Sequence, residues 1–290
     1  MKLTIGNLSA TIETPITKVA TAAQSGQGLV VASDIFYGRS NGTNVDGSVT
    51  KFNAAGALIP AFGVNGVAKA PVHAAEGCLR ADHNSLVFSG LSTSAALDPF
   101  GLTWKNQIWE IDRTTGATVR KWNISNASMP TGTWITNKIA YGLAPNKFIL
   151  LVTPISGVNA AYSMWRIGEV LLADDGTYQF TNWWKYGVNL GVIQGMEFQG
   201  GYLWFDASGA LYRFALPPGG GPDPNTAALL DAPTTITQLP FTELEGLSYD
   251  IAAKLWYYGD AANVMRMGLF NSRLTLEDWV LVSNLPLVPV

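Results

Sequence analysis

The chain has 290 residues, 48% of them hydrophobic types and only 13% charged, with a net charge of −3. It carries no basic block or stripe, which excludes nucleic-acid binding through phosphate neutralisation, and the single Cys78 excludes an intrachain disulfide or a cysteine zinc cluster. No run reaches the roughly 18–20 apolar residues that span a bilayer, and the N-terminus lacks the apolar core of a secretory signal.

Taken in order, the chain reads as short alternating strands parted by turns, with no sustained amphipathic helix, so an all-β fold is expected. Lys2–Ser9 reads as an edge strand and a turn. Leu29-Val-Val-Ala-Ser-Asp, Leu86-Val-Phe-Ser-Gly, Phe148-Ile-Leu-Leu-Val, Leu203-Trp-Phe-Asp and Leu255-Trp-Tyr-Tyr-Gly-Asp then recur at similar intervals. The clearest unit is Gln194–Leu216, where Gly200-Gly201 and Ser208-Gly209 punctuate three strands as tight hairpins. Each copy reads as the second strand of a repeat. The strand before it opens on Glu76-Gly-Cys, Gln194-Gly-Met or Glu245-Gly-Leu, with Tyr141-Gly-Leu in the matching place of the third repeat. The first repeat lacks the motif. Third strands are expected at Ser48–Asn53, Gln107–Asp112, Tyr162–Ile167, Leu211–Leu216 and Asn263–Leu269. Fourth strands are expected at Ala57–Phe62, Ala117–Ile124, Tyr178–Tyr186, Thr234–Phe241 and Trp279–Asn284. Five intervals that close on themselves predict one β-propeller of five four-stranded blades over residues 1–290, with 217–233 a loop insertion in blade four.

In a propeller the innermost strands start around the central channel, which makes Glu76, Gln194 and Glu245 the candidate channel or metal residues, with Tyr141 on the same ring. Two carboxylates and an amide are hard oxygen donors, and calcium is the candidate ion; otherwise no cofactor is expected. These residues and the following Leu-Trp strands resemble gluconolactonase-like and strictosidine-synthase-like propellers. The resemblance implies a metal-dependent lactonase or esterase in which a glutamate of the Glu-Gly turn holds the metal; Glu76 and Glu245 are the positions onto which it maps. The middle-blade Asn-Asp-Gly segment of that pattern is absent, and the six blades of that family differ from the count here.

Other residues suit plain structural roles. Cys78 reads as a buried thiol, His83 as a solvent-facing turn residue and Asp206 as strand-end turn chemistry. Trp183-Trp184 and Trp256-Tyr257-Tyr258 read first as packing between blades, which weakens a third reading as a carbohydrate-binding lectin. Phe100 and Trp104, in the longer loop Leu91–Lys105, are the candidate interface residues. Low charge, abundant small polar residues and the lack of a complete catalytic set resemble bacteriophage virion structural proteins. The expectation is therefore a non-enzymatic virion component, localised to the virion, which docks in an oligomeric assembly onto other virion proteins, a host receptor or a glycan, with no nucleic acid and no membrane insertion.

Overall fold

The computed structural model describes residues 2–5, 8–11, 26–39, 46–71, 74, 76–92, 105–131, 134–142, 144–154, 165–187, 190, 193–230, 233–238, 246–253, 255–259 and 264–267. The fold is an all-β propeller. An antiparallel hairpin, β1 (Lys2–Ile5) and β2 (Leu8–Thr11), comes first. The first blade is β3 (Gly26–Ala32), β4 (Asp34–Arg39), β5 (Gly47–Phe52) and β6 (Val67–Ala70). The second is β7 (Glu76–Arg80), β8 (Ser85–Ser92), β9 (Lys105–Asp112) and β10 (Thr118–Ile124). The third is β11 (Trp134–Tyr141), β12 (Lys147–Pro154), β13 (Arg166–Leu172) and β14 (Tyr178–Lys185). The fourth is β15 (Ile193–Gln199), β16 (Tyr202–Ala207), β17 (Ala210–Ala215) and, after the two-residue β18 (Ala228–Leu229), β19 (Thr234–Gln238). A last sheet holds β20 (Gly246–Asp250), β21 (Leu255–Gly259) and β22 (Val264–Met267).

The first correction is to a coarser statement, a propeller whose described residues do not complete the five expected four-stranded blades. Four sheets among the described residues contain a full blade, the last sheet has three strands, and Trp279–Asn284 lies outside the described residues. A second correction concerns the first repeat. Leu29 lies in the innermost strand β3, not in a second strand, and Gln27-Gly28 supplies the Glu/Gln-Gly motif that is missing from the expected place. The expected third strand at Tyr162–Ile167 begins later, at Arg166, and the expected fourth strand at Ala57–Phe62 is replaced by Val67–Ala70.

The hairpins form for local reasons. Ser208 and Gly209 both hold positive φ (49° and 77°), the mirror-image turn geometry that matches strand twist, and Gly200 and Gly201 do the same at 60° and 77°. The glycine of the repeated motif has a different cause, which is close approach between neighbouring blades. A Cβ on Gly195 would sit 2.3 Å from the Leu247 nitrogen, one on Gly246 2.8 Å from Leu29, and one on Gly28 2.9 Å from the Glu76 Cα. These contacts bring β15 against β20, β20 against β3, and β3 against β7 around the channel.

The core lies between blades, because each sheet buries both of its faces. Val30, Phe36, Leu86, Phe88 and Ile111 pack blade one onto blade two. Trp122, Ile139, Phe148 and Trp183 join blades two and three, and Trp165, Tyr186, Phe205 and Phe214 join three and four. Each such fully buried large side chain stabilises the fold by roughly 1.5–3 kcal/mol. The aromatic runs belong to this packing: Trp183, Trp184, Trp256 and Tyr258 are all buried. The proline- and glycine-rich insertion of blade four reaches back onto blade three. There β18 pairs in parallel with the outer strand β14 (Trp184 with Ala228, Lys185 with Leu229), Gly221 exchanges amide hydrogen bonds with Trp183, and Arg166 donates to the Pro224 carbonyl. The loop therefore caps the outer edge of the neighbouring blade with its own backbone.

Candidate active site

Two ends of the channel carry ionisable groups. At the end where the innermost strands begin, Glu76 opens β7 and is completely buried. Its Oε1 accepts the amides of Leu29 (3.3 Å) and Gly77 (3.2 Å), and its Oε2 accepts that of Met196 (3.1 Å). One carboxylate thus satisfies inner-edge donors of β3, β7 and β15, which have no further strand to pair with. Burial pushes Glu76 well above the usual carboxylate range, against the pull of the buried Lys138 ammonium and the Leu29 amide. Asp206 lies nearby, also fully buried, and accepts the Gly195 amide at 2.6 Å. Burial raises it to about 6, with Lys138 and the Gly195 and Gln194 amides opposing. Asp206 is therefore a channel residue and not the strand-end turn residue that its neighbours in sequence suggest.

Of the expected channel set, Gln194 lies in β15, partly exposed, one residue before the glycine that meets β20. Glu245, Phe100 and Trp104 lie outside the described residues. Tyr141 does not share the ring of Glu76. It ends β11, at the opposite end of the channel, because the third repeat's inner strand runs upstream of the Tyr-Gly-Leu motif and not downstream. Among the described residues no group of three or more His, Cys, Asp or Glu side chains is placed to hold a metal ion. Glu76, with both oxygens engaged by amides and an ammonium beside it, does not fit a calcium ligand.

The other end is open. Where the innermost strands finish, a pocket of about 400 Å³ is lined by residues of β3, β7, β11, β15 and β20 and of the turns that follow them. Val30, Val31, Leu79, Phe198 and Ile251 supply apolar wall. Tyr141, Tyr249, Ser248, Gln199 and Glu197 supply the polar groups, and Gly200-Gly201 form part of the rim. Glu197 is held by two amides, Phe198 on Oε1 (3.0 Å) and Tyr249 on Oε2 (3.3 Å). It stays partly exposed, and the desolvation imposed by the surrounding strands pushes its pKa up to about 7, while those two amides pull the other way. No ion pair joins it to a basic side chain among the described residues. The Ser248 hydroxyl accepts the Val31 amide at 2.9 Å, tying β20 to β3 at the pocket floor. Tyr141 donates its hydroxyl to Asp82 (3.1 Å); burial and that carboxylate push the phenol up to about 12. It stays protonated at any working pH.

Asp82 connects the pocket to a polar network between blades two and three. Arg80 is fully buried and reaches Glu110 (3.2 Å), Asp174 (2.9 Å), Asn146 and the His83 ring (3.1 Å). His83 Nδ1 stands 3.3 Å from Glu110, to which Ser85 also donates at 2.6 Å. His83 is therefore a network residue and not simply a solvent-facing one. Cys78 is buried, and burial with the nearby Glu197 and Glu76 carboxylates pushes its thiol well up, which leaves it inert.

Sequence reasoning passed over Glu197. It sits in Gly-Met-Glu-Phe, a strand interior without a turn or motif, and only ring closure places it at a pocket wall. The usable signal was a charged residue in an otherwise apolar inner strand, a position that a structural role alone rarely fills.

No protein-family model matches the chain, and no curated protein matches it. Solved structures do. The glutaminyl cyclase of Myxococcus xanthus superposes with a TM-score of 0.52 at 11% identity over 89% of this chain and 96% of its own. The PQQ-bound aldose sugar dehydrogenase of Streptomyces coelicolor gives 0.48 at 11% identity, covering 90% and 98%. A gluconolactonase from Xanthomonas campestris gives 0.43 at 13%, covering 91% and 90%. At such identities the likeness to the cyclase shows a shared fold. The cyclase is an enzyme by name, and nothing in the comparisons supports a virion component, so the expectation of a non-enzymatic virion platform is withdrawn.

Proposed function

We propose that the chain is a propeller hydrolase of the lactonase or esterase kind, working in the mouth pocket with Glu197 as general base. The observation that carries this reading is a lone carboxylate, titrating near neutrality, on the wall of a pocket of about 400 Å³. A base poised near 7 takes a proton from an attacking water and returns it to the leaving oxygen at a matched driving force. The Phe198 and Tyr249 amides fix its orientation. Gln199, at the wall, is the side chain able to donate to a carbonyl oxygen as charge develops there. The bond that breaks is the acyl C–O bond; water supplies both the hydroxyl of the acid product and the proton of the alcohol.

The test is hydrolysis of a panel of small lactones and esters by the whole chain, with Glu197→Gln as control. Turnover that falls about 10²–10⁴-fold in the variant supports the reading; turnover that the variant leaves intact, or none on any substrate, overturns it. No step in this scheme passes through calcium at Glu76. Calcium titration followed by thermal melting checks that point, because an ion that binds the folded state must stabilise it. Stabilisation at millimolar calcium would restore the metal reading.

For the ring itself we propose five blades. What supports this is the order of innermost strands β3, β7, β11, β15 and β20 and the closure of β20 onto β3 through Gly246 and Leu29.

A further inference from the structure

The same pocket carries a statement about charge. It rests on the mouth being the ligand site, though not on the reaction being hydrolysis. Among the described residues its lining includes one carboxylate, Glu197, and no Arg, Lys or His. The buried guanidinium of Arg80, next in sequence to the lining residue Leu79, is committed to Glu110 and Asp174. The remaining polar groups are hydroxyls, one side-chain amide and the glycine rim, which solvate a neutral ligand but neutralise nothing. An anion that enters must shed water beside a carboxylate and finds no countercharge. An uncharged ring meets apolar wall on Val30, Val31, Leu79 and Phe198, and a cation meets Glu197. Ile251 stands at the lip on the turn after β20, 60% exposed, where a side chain can change the local charge without entering the core.

We infer that the mouth pocket selects by charge, taking uncharged or cationic ring-sized ligands and rejecting anions, with Glu197 setting that selectivity and Ile251 the exposed position at which an added charge would reverse it. The probes are benzamide, benzylamine and benzoate, three rings of one size and three charges. Binding to the full chain is followed by ligand-observed NMR at pH 8. Benzamide and benzylamine bind, and benzoate binds at least about tenfold more weakly, since like charges placed together in a pocket repel. Ile251→Lys brings benzoate to within about threefold of benzamide; Ile251→Gln, which adds polarity without charge, does not. Benzoate binding as tightly as benzamide overturns the inference, and so does an Ile251→Lys variant, folded by circular dichroism, that leaves the ratio unchanged. Failure of all three probes to bind overturns it too, because the pocket would then not be a site for rings of this size. The two readings fail separately. Correct charge order without turnover sinks the hydrolase alone, whereas turnover of neutral esters with equal benzoate binding sinks the charge selectivity alone.

Discussion

Glu76 and Glu197 occupy comparable places on two inner strands and do different work. Both are carboxylates that accept amides from a neighbouring strand. Glu76 accepts three, from β3, β7 and β15, is completely buried and has Lys138 beside it. Glu197 accepts two, on one wall of a pocket, and pairs with no basic side chain among the described residues. The difference teaches how a propeller separates tying its ring from offering a site. An inner edge has unpaired amides all round the channel, and a carboxylate that saturates them is a structural tie. One left with spare lone pairs and room in front of it is free for chemistry.

Removing each carboxylate in turn breaks the comparison most sharply. Glu76→Ala strands three buried amides and is expected to cost roughly 3–5 kcal/mol, read as a lower urea midpoint. Glu76→Gln, which keeps one acceptor, should lose less. Glu197→Gln should go the other way, holding or gaining stability at pH 8 while losing activity. If both glutamates prove equally costly to neutralise, the distinction between tie and site is wrong.

Gly195→Ala tests the close approach on which the ring depends. Its Cβ would lie 2.3 Å from the Leu247 backbone, so an expected loss of about 1–3 kcal/mol follows from overpacking against an atom that cannot swing away. Gly201→Ala, with open space around its Cβ but a φ of 77°, is expected to cost less, about 1 kcal/mol from backbone strain alone.

The pH dependence has one sign for the buried carboxylates, Glu76 included, whose pKa also lies well above the usual range. Glu197 titrates at about 7 and Asp206 at about 6 in the folded chain, both above their unfolded values. Between the ordinary carboxylate range and pH 7 the folded state therefore holds protons that the unfolded state has released. Stability is full below that window and falls as pH rises through it. A melting temperature that drops by a few degrees between pH 5 and pH 8 is the expected reading, with Glu197→Gln flattening the upper part of the slope. Carboxylates held low, such as Glu169 with Lys147, Thr181 and Asn182 around it, act only at more acidic pH and do not mask this trend.

The smallest effect belongs to Asp174→Asn at the exposed end of the Arg80 network. Its side chain is 56% exposed, and loss of such a pair should cost under about 1 kcal/mol in a denaturation experiment. Arg80→Ala, which uncovers the buried Glu110, should cost several times more.

The sequence alone determined what is local. Alternation gave the strands, and Ser208-Gly209 and Gly200-Gly201 marked turns whose positive φ only small or permissive residues adopt cheaply. The recurring Leu-Trp strand identified the repeat, and the repeat identified the propeller. Tertiary structure decided what depends on strands far apart in sequence. The motif glycines looked like turn residues, yet Gly195 and Gly246 are there because blades touch. Leu29 looked like a second strand, since a buried inner strand and a buried second strand carry the same apolar pattern. Glu76 looked like a metal ligand, and its partners Leu29 and Met196 come from strands that meet it only when the ring closes. The candidate base Glu197 was silent for the same reason. A desolvated carboxylate beside a pocket is a property of five strand ends brought together, and no window of sequence contains all five.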